Sequence, residues 1–399
     1  MTRKRILFVS ENVTLAQVVR LVTLANSLDP QKYEVHFASA DFPEFIFGAH
    51  AWPRWPLWTV PAAKVFRSLE SGGRLYSYGI LKRNLAADIE VIRQVEPHLI
   101  VGDLRWSLAV SAPLCGVRQA SLINAYWSRH AARDAFPLPD HPIVKLLGEK
   151  LAAQNFGKAL PFVFKYFAAP LNKLRRQNGL APLGDLLDVL VAGNDVLFAD
   201  TPLLAPVRSL QPHQRYLGPV LWSPQTPAPD AWTQSTEVPK VYVTLGSSGR
   251  LALLPVIIKA LAALPVKVLL ASADRYPTQS MPANITAVDY VNGDEASRGA
   301  DIVITNGGSS TGYQAIAQGR PVIGIPSNFD QYLASQAIAA TGAGLTIPAR
   351  QLTPARLAEA VADILRSQAF RARAAELSAD MAQHPSGDAF AKYVAEATA

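Results

Sequence analysis

The chain has 399 residues, 49% of them hydrophobic and only 17% charged. That is more than one ordinary domain needs, and too apolar for long disordered tails. Its net charge of +7 suits an anionic small molecule, an anionic membrane surface or a dispersed solvated charge. Lys and Arg cluster only at Arg3-Lys4-Arg5 and Lys173-Leu174-Arg175-Arg176, so no nucleic-acid footprint is expected. The single cysteine, Cys115, excludes an intrachain disulfide and a Cys-based metal site, fits a reducing compartment and reads as a small core side chain.

The N-terminal apolar run, Ile6 to Ser10, ends at Glu11 and is too short for a signal core. No stretch approaches the ~18 apolar residues of a spanning helix. The expectation is a soluble, cytoplasmic protein.

In chain order, residues 5–10 predict a buried parallel strand. Residues 14–28 follow with Leu15, Val18, Val19, Val22, Leu24 and Leu28 at helical spacing, and 33–39 predict a second strand, a β-α-β unit with a right-handed crossover. Residues 42–68 interleave Trp52, Trp55 and Trp58 with Pro43, Pro53, Pro56 and Pro61. Prolines at that density exclude regular helix or central strand, and an aromatic loop of this kind is either functional or packed on the core. A helix at 74–95, a strand at 98–103, a helix at 105–115, a strand at 119–124, a mostly helical stretch at 131–190 and a strand at 195–200 complete an open α/β sheet. Four prolines in 221–239 predict an extended linker. A second alternating set follows, with strands at 240–246, 266–272, 285–291, 301–306 and 321–326 and helices at 252–263, 310–318, 330–341 and 354–367. The fold class is therefore α/β, with two Rossmann-like doubly wound domains facing across a cleft.

Two Gly-Ser turns follow strands of the second set: Gly246-Ser247-Ser248-Gly249, and Asn306-Gly307-Gly308-Ser309-Ser310-Thr311, which opens a helix. Glycine lets the backbone approach a ligand, and the N–H groups of a helix start favour a phosphate. Taken singly, each is as well explained by a tight turn with an N-cap. The second turn, however, continues without a break through Gln314-Ala315-Ile316, Gly319-Arg320-Pro321-Val322, Pro326, Phe329-Asp330-Gln331 and Gly342-Ala343-Gly344. This stretch resembles the donor-binding signature of the UDP-glycosyltransferase and macrolide-glycosyltransferase superfamily. The likeness extends to Val243-Thr244-Leu245-Gly246-Ser247 and to the strand-loop-helix of residues 5–28.

The resemblance implies the GT-B fold: an acceptor-binding domain at 1–220, the linker at 221–239, a donor-binding domain at 240–380, and a C-terminal helix at 381–399 crossing back to the first domain. It implies an inverting glycosyltransferase that moves a sugar from a UDP- or dTDP-sugar to a hydrophobic or aromatic small molecule or a lipid. Neither a metal nor a resident cofactor is implied, since the nucleotide sugar is a co-substrate. By resemblance, Gly308, Ser309 and Ser310 bind the diphosphate beside Gly246 and Ser247, and Val291 lies where the base is held. Asp330 and Gln331 meet sugar hydroxyls, for which carboxylate and amide offer acceptors and donors; Asp330 also reads as a helix N-cap.

Three positions depart from the pattern. The family's phosphate-binding His is Asn306, and its ribose-binding Glu is Gln314. The base, a His at the start of the first helix, falls on Gln17, although its orienting carboxylate is matched by Asp103 at a strand end. A glutamine accepts no proton, and a positioned base is worth ~10²–10⁴ in rate. Three readings stay open: Asp103 or Glu11 takes the proton directly, the acceptor is acidic enough to need little help, or the chain is a catalytically impaired nucleotide-sugar-binding homologue or partner protein. Acceptor contacts are expected from Trp52, Trp55, Arg105, Trp106, Tyr126 and Trp127. A lipid acceptor would give the basic surface a peripheral membrane role. An epimerase on the same fold would need a pair of acid/base carboxylates facing the donor, to which the sequence does not point. Monomer and homodimer both remain open.

Overall fold

The computed structural model describes residues 3–71, 73–140, 144, 148–277 and 280–399. The chain forms two compact units: unit 1 comprises Met1–Ala135, His141–Val220 and His384–Ala399, and unit 2 comprises Phe136–Asp140 and Leu221–Gln383.

Unit 1 is built on a seven-stranded sheet in the order β3-β2-β1-β4-β5-β6-β7. Its strands are β1 (Lys4–Ser10), β2 (Tyr33–Ser39), β3 (Arg54–Pro56), β4 (Leu99–Asp103), β5 (Gln119–Ile123), β6 (Asp195–Phe198) and β7 (Gln214–Tyr216). Every pairing in it is parallel. Ile6, Leu7 and Phe8 are fully buried. Successive strand side chains point to opposite faces, so both faces of β1 must be covered, which is why this strand reads as an unbroken apolar run. The strand order reverses between β1 and β4, where Ser10 lies opposite Asp103. The C-terminal helix Ser386–Ala397 belongs to this unit. Its Phe390 packs on Phe8 at 5.9 Å, and the Tyr393 hydroxyl donates to Asp195 Oδ2 at 3.0 Å. Truncating either aromatic to alanine would cost about 3–5 kcal/mol.

Unit 2 holds a six-stranded sheet in the order β10-β9-β8-β11-β12-β13. Its strands are β8 (Lys240–Thr244), β9 (Lys267–Ala271), β10 (Ile285–Val288), β11 (Ile302–Thr305), β12 (Val322–Gly324) and β13 (Gly344–Thr346), again paired in parallel. Val241, Val243, Ile302, Ile304 and Ile323 form one buried cluster with Ile257 of helix Leu254–Ala262 and Leu357 and Val361 of helix Pro354–Arg366. Here the order reverses between β8 and β11. In both units the reversal opens a crevice at the carboxyl ends of two neighbouring strands, the place where open α/β sheets bind ligands.

Three segments differ from the sequence reading. Within 42–68, β3 joins the sheet edge and a helix runs from Ala62 to Ser71. Pro56 is the last residue of the edge strand β3, and no proline interrupts the helix, since Pro61 immediately precedes it, where a missing N–H costs nothing. Residues 221–239 are not a free extended linker. Trp232 is buried in a short helix, Asp230–Thr233, and its indole donates to Ala296 O at 3.0 Å. Within the stretch expected to be mostly helical, 131–190, residues 141–143 and 145–147 lie outside the described residues, and the long helix is Glu149–Gln177.

Candidate functional site

In unit 2 the two Gly-Ser turns sit side by side at the sheet's reversal point. β8 and β11 both end in a buried threonine whose hydroxyl accepts the N–H two residues on: Thr244 Oγ1 from Gly246 at 3.2 Å, and Thr305 Oγ1 from Gly307 at 2.9 Å. Each threonine thereby turns the chain out of the sheet. Gly246 and Gly307 then adopt φ of +57° and +80°, a region that strains any residue with a Cβ. Arg275, from the loop after β9, braces the first turn by donating to Gly246 O at 3.0 Å and Gly249 O at 3.1 Å.

Asn306 joins the two turns. Its Nδ2 donates to Ser248 Oγ at 3.1 Å, and its Oδ1 accepts from Gly308 N at 3.1 Å. The helix Ser309–Ala317 then starts with no side-chain cap and no acid in its first turn. In the same unit Asn292, Asn328 and Thr353 cap their own helices with side-chain oxygens, whereas helices Leu254–Ala262 and Gln368–Ala382 also start without such a cap. The N–H groups of the half-buried Ser309, Ser310 and Thr311 therefore form a start suited to an external anion.

Asp330 is exposed in the first turn of helix Phe329–Ala340, whose N-cap is Asn328, so Asp330 is not the cap. Gln331 is buried; its Oε1 accepts from Ser327 N and Ser327 Oγ at 3.0 Å, while its Nε2 has no partner among the described residues. An unpaired buried amide N–H is rare and costs about 1–3 kcal/mol unless a ligand or water completes it. The Gln331 backbone is adjacent to the second turn, since a Cβ on Gly307 would lie 3.1 Å from Gln331 O. Gln314 has another task. Its Nε2 donates to Trp222 O and to Ser223 Oγ, holding residues 222–223 against the helix. Val291 is buried beside Asn292, the cap of helix Gly293–Arg298.

In unit 1, the carboxyl ends of β1, β4, β5 and β6 carry a connected polar network. Arg20, the only charged residue in helix Leu15–Ala25, forks onto Asp103: Nε to Oδ2 at 3.0 Å and Nη2 to Oδ1 at 2.9 Å. Its Nη1 donates to Asn124 Oδ1 at 2.8 Å, and Asn124 Nδ2 donates to Asp200 Oδ1 at 3.0 Å. Asp103 is fully buried. Gln17 is the third residue of a capping box: its Oε1 accepts from Val13 N at 2.8 Å and Thr14 N at 3.2 Å. Glu11 lies fully buried in a second cluster. Arg105 donates to Glu11 Oε2 and to Asp88 Oδ1, both at 2.8 Å, and the Tyr76 hydroxyl hydrogen-bonds Glu11. Burial raises the Glu11 pKa, and the neighbouring Arg105 only partly offsets it. Burial also works against the charge of Arg105, but Asp88 and Glu11 outweigh it and raise its pKa.

The residues expected at the acceptor do not converge. Arg105 is buried inside the unit, its side chain 0% exposed, and donates to Glu11, Asp88 and Trp58 O, so it is turned away from an external ligand. Trp106 is buried against Tyr76, with ring centroids 4.8 Å apart. Trp52 stacks on His50 at 4.0 Å in a depression also lined by Arg3 and Tyr33, at the amino ends of β1 and β2 and so away from Asp103. Trp55 is half-buried and donates to His36 Nδ1 at 3.1 Å. Tyr126 is buried, while Trp127 is half-buried just beyond the carboxyl end of β5. The sequence reading missed Arg20, Asn124, Asp200 and Arg275. For Arg20 a signal existed, a lone cation in an apolar helix facing a strand-end aspartate.

Two parallel, doubly wound α/β domains, one with paired Gly-Ser turns at its reversal point, are the architecture of the GT-B glycosyltransferases. Solved structures agree: the glycosyltransferase VinC in complex with DTDP superposes with a TM-score of 0.69 over 98% of this chain and 98% of that one, at 20% identity. Residues 255–397 match the family model for the erythromycin biosynthesis protein CIII-like, C-terminal domain. A PGL/p-HBAD biosynthesis glycosyltransferase of Mycobacterium tuberculosis is 42% identical over 94% of this chain and 88% of its own length. A PGL/p-HBAD biosynthesis rhamnosyltransferase of Mycobacterium bovis BCG is 41% identical over 94% of this chain and 84% of its own. The chain belongs to this family of glycosyltransferases.

Proposed function

We propose that the protein transfers a 6-deoxyhexose such as rhamnose from a dTDP-sugar to an acidic, phenol-type hydroxyl on a hydrophobic acceptor, with inversion at the anomeric carbon. The observation that carries the donor side is the pair of Gly-Ser turns at the reversal point of unit 2, opening the uncapped helix Ser309–Ala317. In this reading the diphosphate meets the N–H groups of Gly308, Ser309 and Ser310, with Gly246 and Ser247 alongside. The base lies near Val291, and Asp330 and the unpaired Gln331 Nε2 bond sugar hydroxyls. The choice of sugar and nucleotide follows the names of the rhamnosyltransferase relative and of the complex with DTDP.

The acidic acceptor follows from unit 1. Asp103 is held on both oxygens by Arg20, and Glu11 is enclosed by Arg105, Val60 and Tyr76. A carboxylate so engaged is a poor base, whereas a phenol loses its proton with little help. Trp127, half-buried just beyond the carboxyl end of β5, is the aromatic side chain assigned to an acceptor ring. No metal takes part: helix dipole and backbone N–H groups stabilise the leaving diphosphate.

The test is transfer from dTDP-rhamnose and UDP-glucose to a series of phenols and aliphatic alcohols, with and without EDTA. Faster transfer from dTDP-rhamnose, rates that rise with phenol acidity, negligible transfer to alcohols and indifference to EDTA are expected. Equal rates with phenols and alcohols would overturn the acidic-acceptor reading, and loss of activity in EDTA the metal-free one.

A further inference from the structure

We propose that the outer face of helix Glu149–Gln177 docks the protein on an anionic lipid surface. The helix buries Leu160, Phe164, Ala168, Leu171 and Leu174. On the opposite side, at spacings of one, three, four and seven, stand Leu151, Lys158, Phe162, Lys165, Tyr166 and Lys173, one stripe of an α-helix, with the Lys173 ammonium 4.7 Å from the Tyr78 ring centroid. Phe162 is 76% exposed, Leu151 50% and Tyr166 48%. Single exposed apolar side chains are ordinary, but several aligned on one helical stripe mark an interaction site.

Charge selects the occupant. Residues 149–177 contain six Lys and Arg and one acid, Glu149, a net +5 within a chain whose total is +7. Lysines alternating with aromatic and aliphatic side chains suit a bilayer interface: the apolar groups enter the acyl boundary while the flexible lysines reach lipid phosphates. Arg74 extends the cationic margin, its guanidinium lying 3.9 Å above the Tyr166 ring. A protein partner would more often meet a face with charges of both signs, and a nucleic acid one without the protruding phenylalanine. Among the described residues, no helix is long and apolar enough to cross a membrane, so the contact is peripheral. A lipid-borne acceptor would then be collected from the surface on which the protein sits. The inference deepens the acceptor side of the proposed function but stands on this face alone.

The full-length protein is sedimented with vesicles of phosphatidylcholine and with vesicles of phosphatidylcholine and phosphatidylglycerol in equal parts. Binding to the anionic vesicles only, weakened by salt, is expected. Phe162→Ser should weaken it about tenfold, and Lys158→Gln, Lys165→Gln and Lys173→Gln about fivefold each. Circular dichroism checks that these surface variants fold, and light scattering reports oligomeric state. Absent binding, binding indifferent to lipid charge or to the variants, or a dimer that Phe162→Ser dissociates would overturn the proposal. Vesicle binding reads no transfer, so its failure leaves the transferase reading intact.

Discussion

Removing Arg20 should unsettle unit 1 more than any other single surface-proximal change at its reversal point. The Arg20 side chain is 11% exposed and that of Asp103 0%, so Arg20→Gln leaves a buried carboxylate without its counter-ion. Breaking such a pair from one side costs about 3–5 kcal/mol, against a typical domain stability of about 5–15 kcal/mol. Asn124 also loses a donor, which adds to the effect. Asp103→Asn keeps an acceptor oxygen but removes the negative charge facing the guanidinium, which still donates to Asn124. In the double variant two neutral amides face each other, so its loss should fall short of the sum of the single losses by about 1–3 kcal/mol. Urea unfolding followed by tryptophan fluorescence and circular dichroism measures all four corners of the cycle. If Arg20→Gln lies within about 0.5 kcal/mol of the parent, or if the two losses add, the forked pair does not organise these strand ends and the reasoning fails.

Gln17→His removes an acceptor shared by Val13 N and Thr14 N. It should lower thermal stability by about 1 kcal/mol, and a variant as stable as the parent would show that the cap is unimportant. Glu11 carries a pKa raised from 4.5, so the folded state binds an extra proton between that value and the raised one. The parent should therefore lose stability as pH rises through this window relative to Glu11→Gln, which has nothing to titrate; parallel stability-pH curves would contradict the shift. Gln314→Glu would aim a carboxylate at Trp222 O and at a Ser223 hydroxyl already bonded to Asp294. Unit 2 should lose about 1–3 kcal/mol, and unchanged urea unfolding would mean that residues 222–223 are not held this way.

The strands were readable because buried parallel strands leave unbroken apolar runs, as in Ile6–Val9 and Val241–Val243. The Gly-Ser turns were readable because Gly246 and Gly307 occupy φ values that other residues avoid. What was hidden is pairing across the sequence. Nothing local says that Phe136–Asp140 belongs to unit 2, where Phe136 stacks on Phe329 at 5.6 Å and Asp140 accepts from Tyr332 and Arg350. Likewise Arg105 reads as a charged residue beside a motif position, because its partners Glu11 and Asp88 are distant in sequence. The prolines of 42–68 misled because their number is visible and their phase relative to a helix start is not.

The three departures from the resembled pattern share one direction: Gln17, Asn306 and Gln314 each place an amide where the superfamily has a titratable group. Each amide holds the local scaffold, capping a helix, joining two turns or fixing residues 222–223. A carboxylate could not make the bonds of Gln314, which donates twice, and the amide of Asn306 donates and accepts at once without carrying a titratable proton. The consequence for donor binding is electrostatic. Unit 2 contains neither histidine nor cysteine, so no side chain in it has an ordinary pKa near neutrality. If the diphosphate is held by backbone N–H groups at Gly308–Ser310, calorimetric affinity for a dTDP-sugar should stay level between roughly pH 6 and 8. It should also persist in Asn306→Ala, weakened about tenfold as the two turns lose their link, about one hydrogen bond's worth. A steep pH dependence over that range would require a titrating group from outside unit 2 at the phosphates, and the backbone account of donor binding would fall.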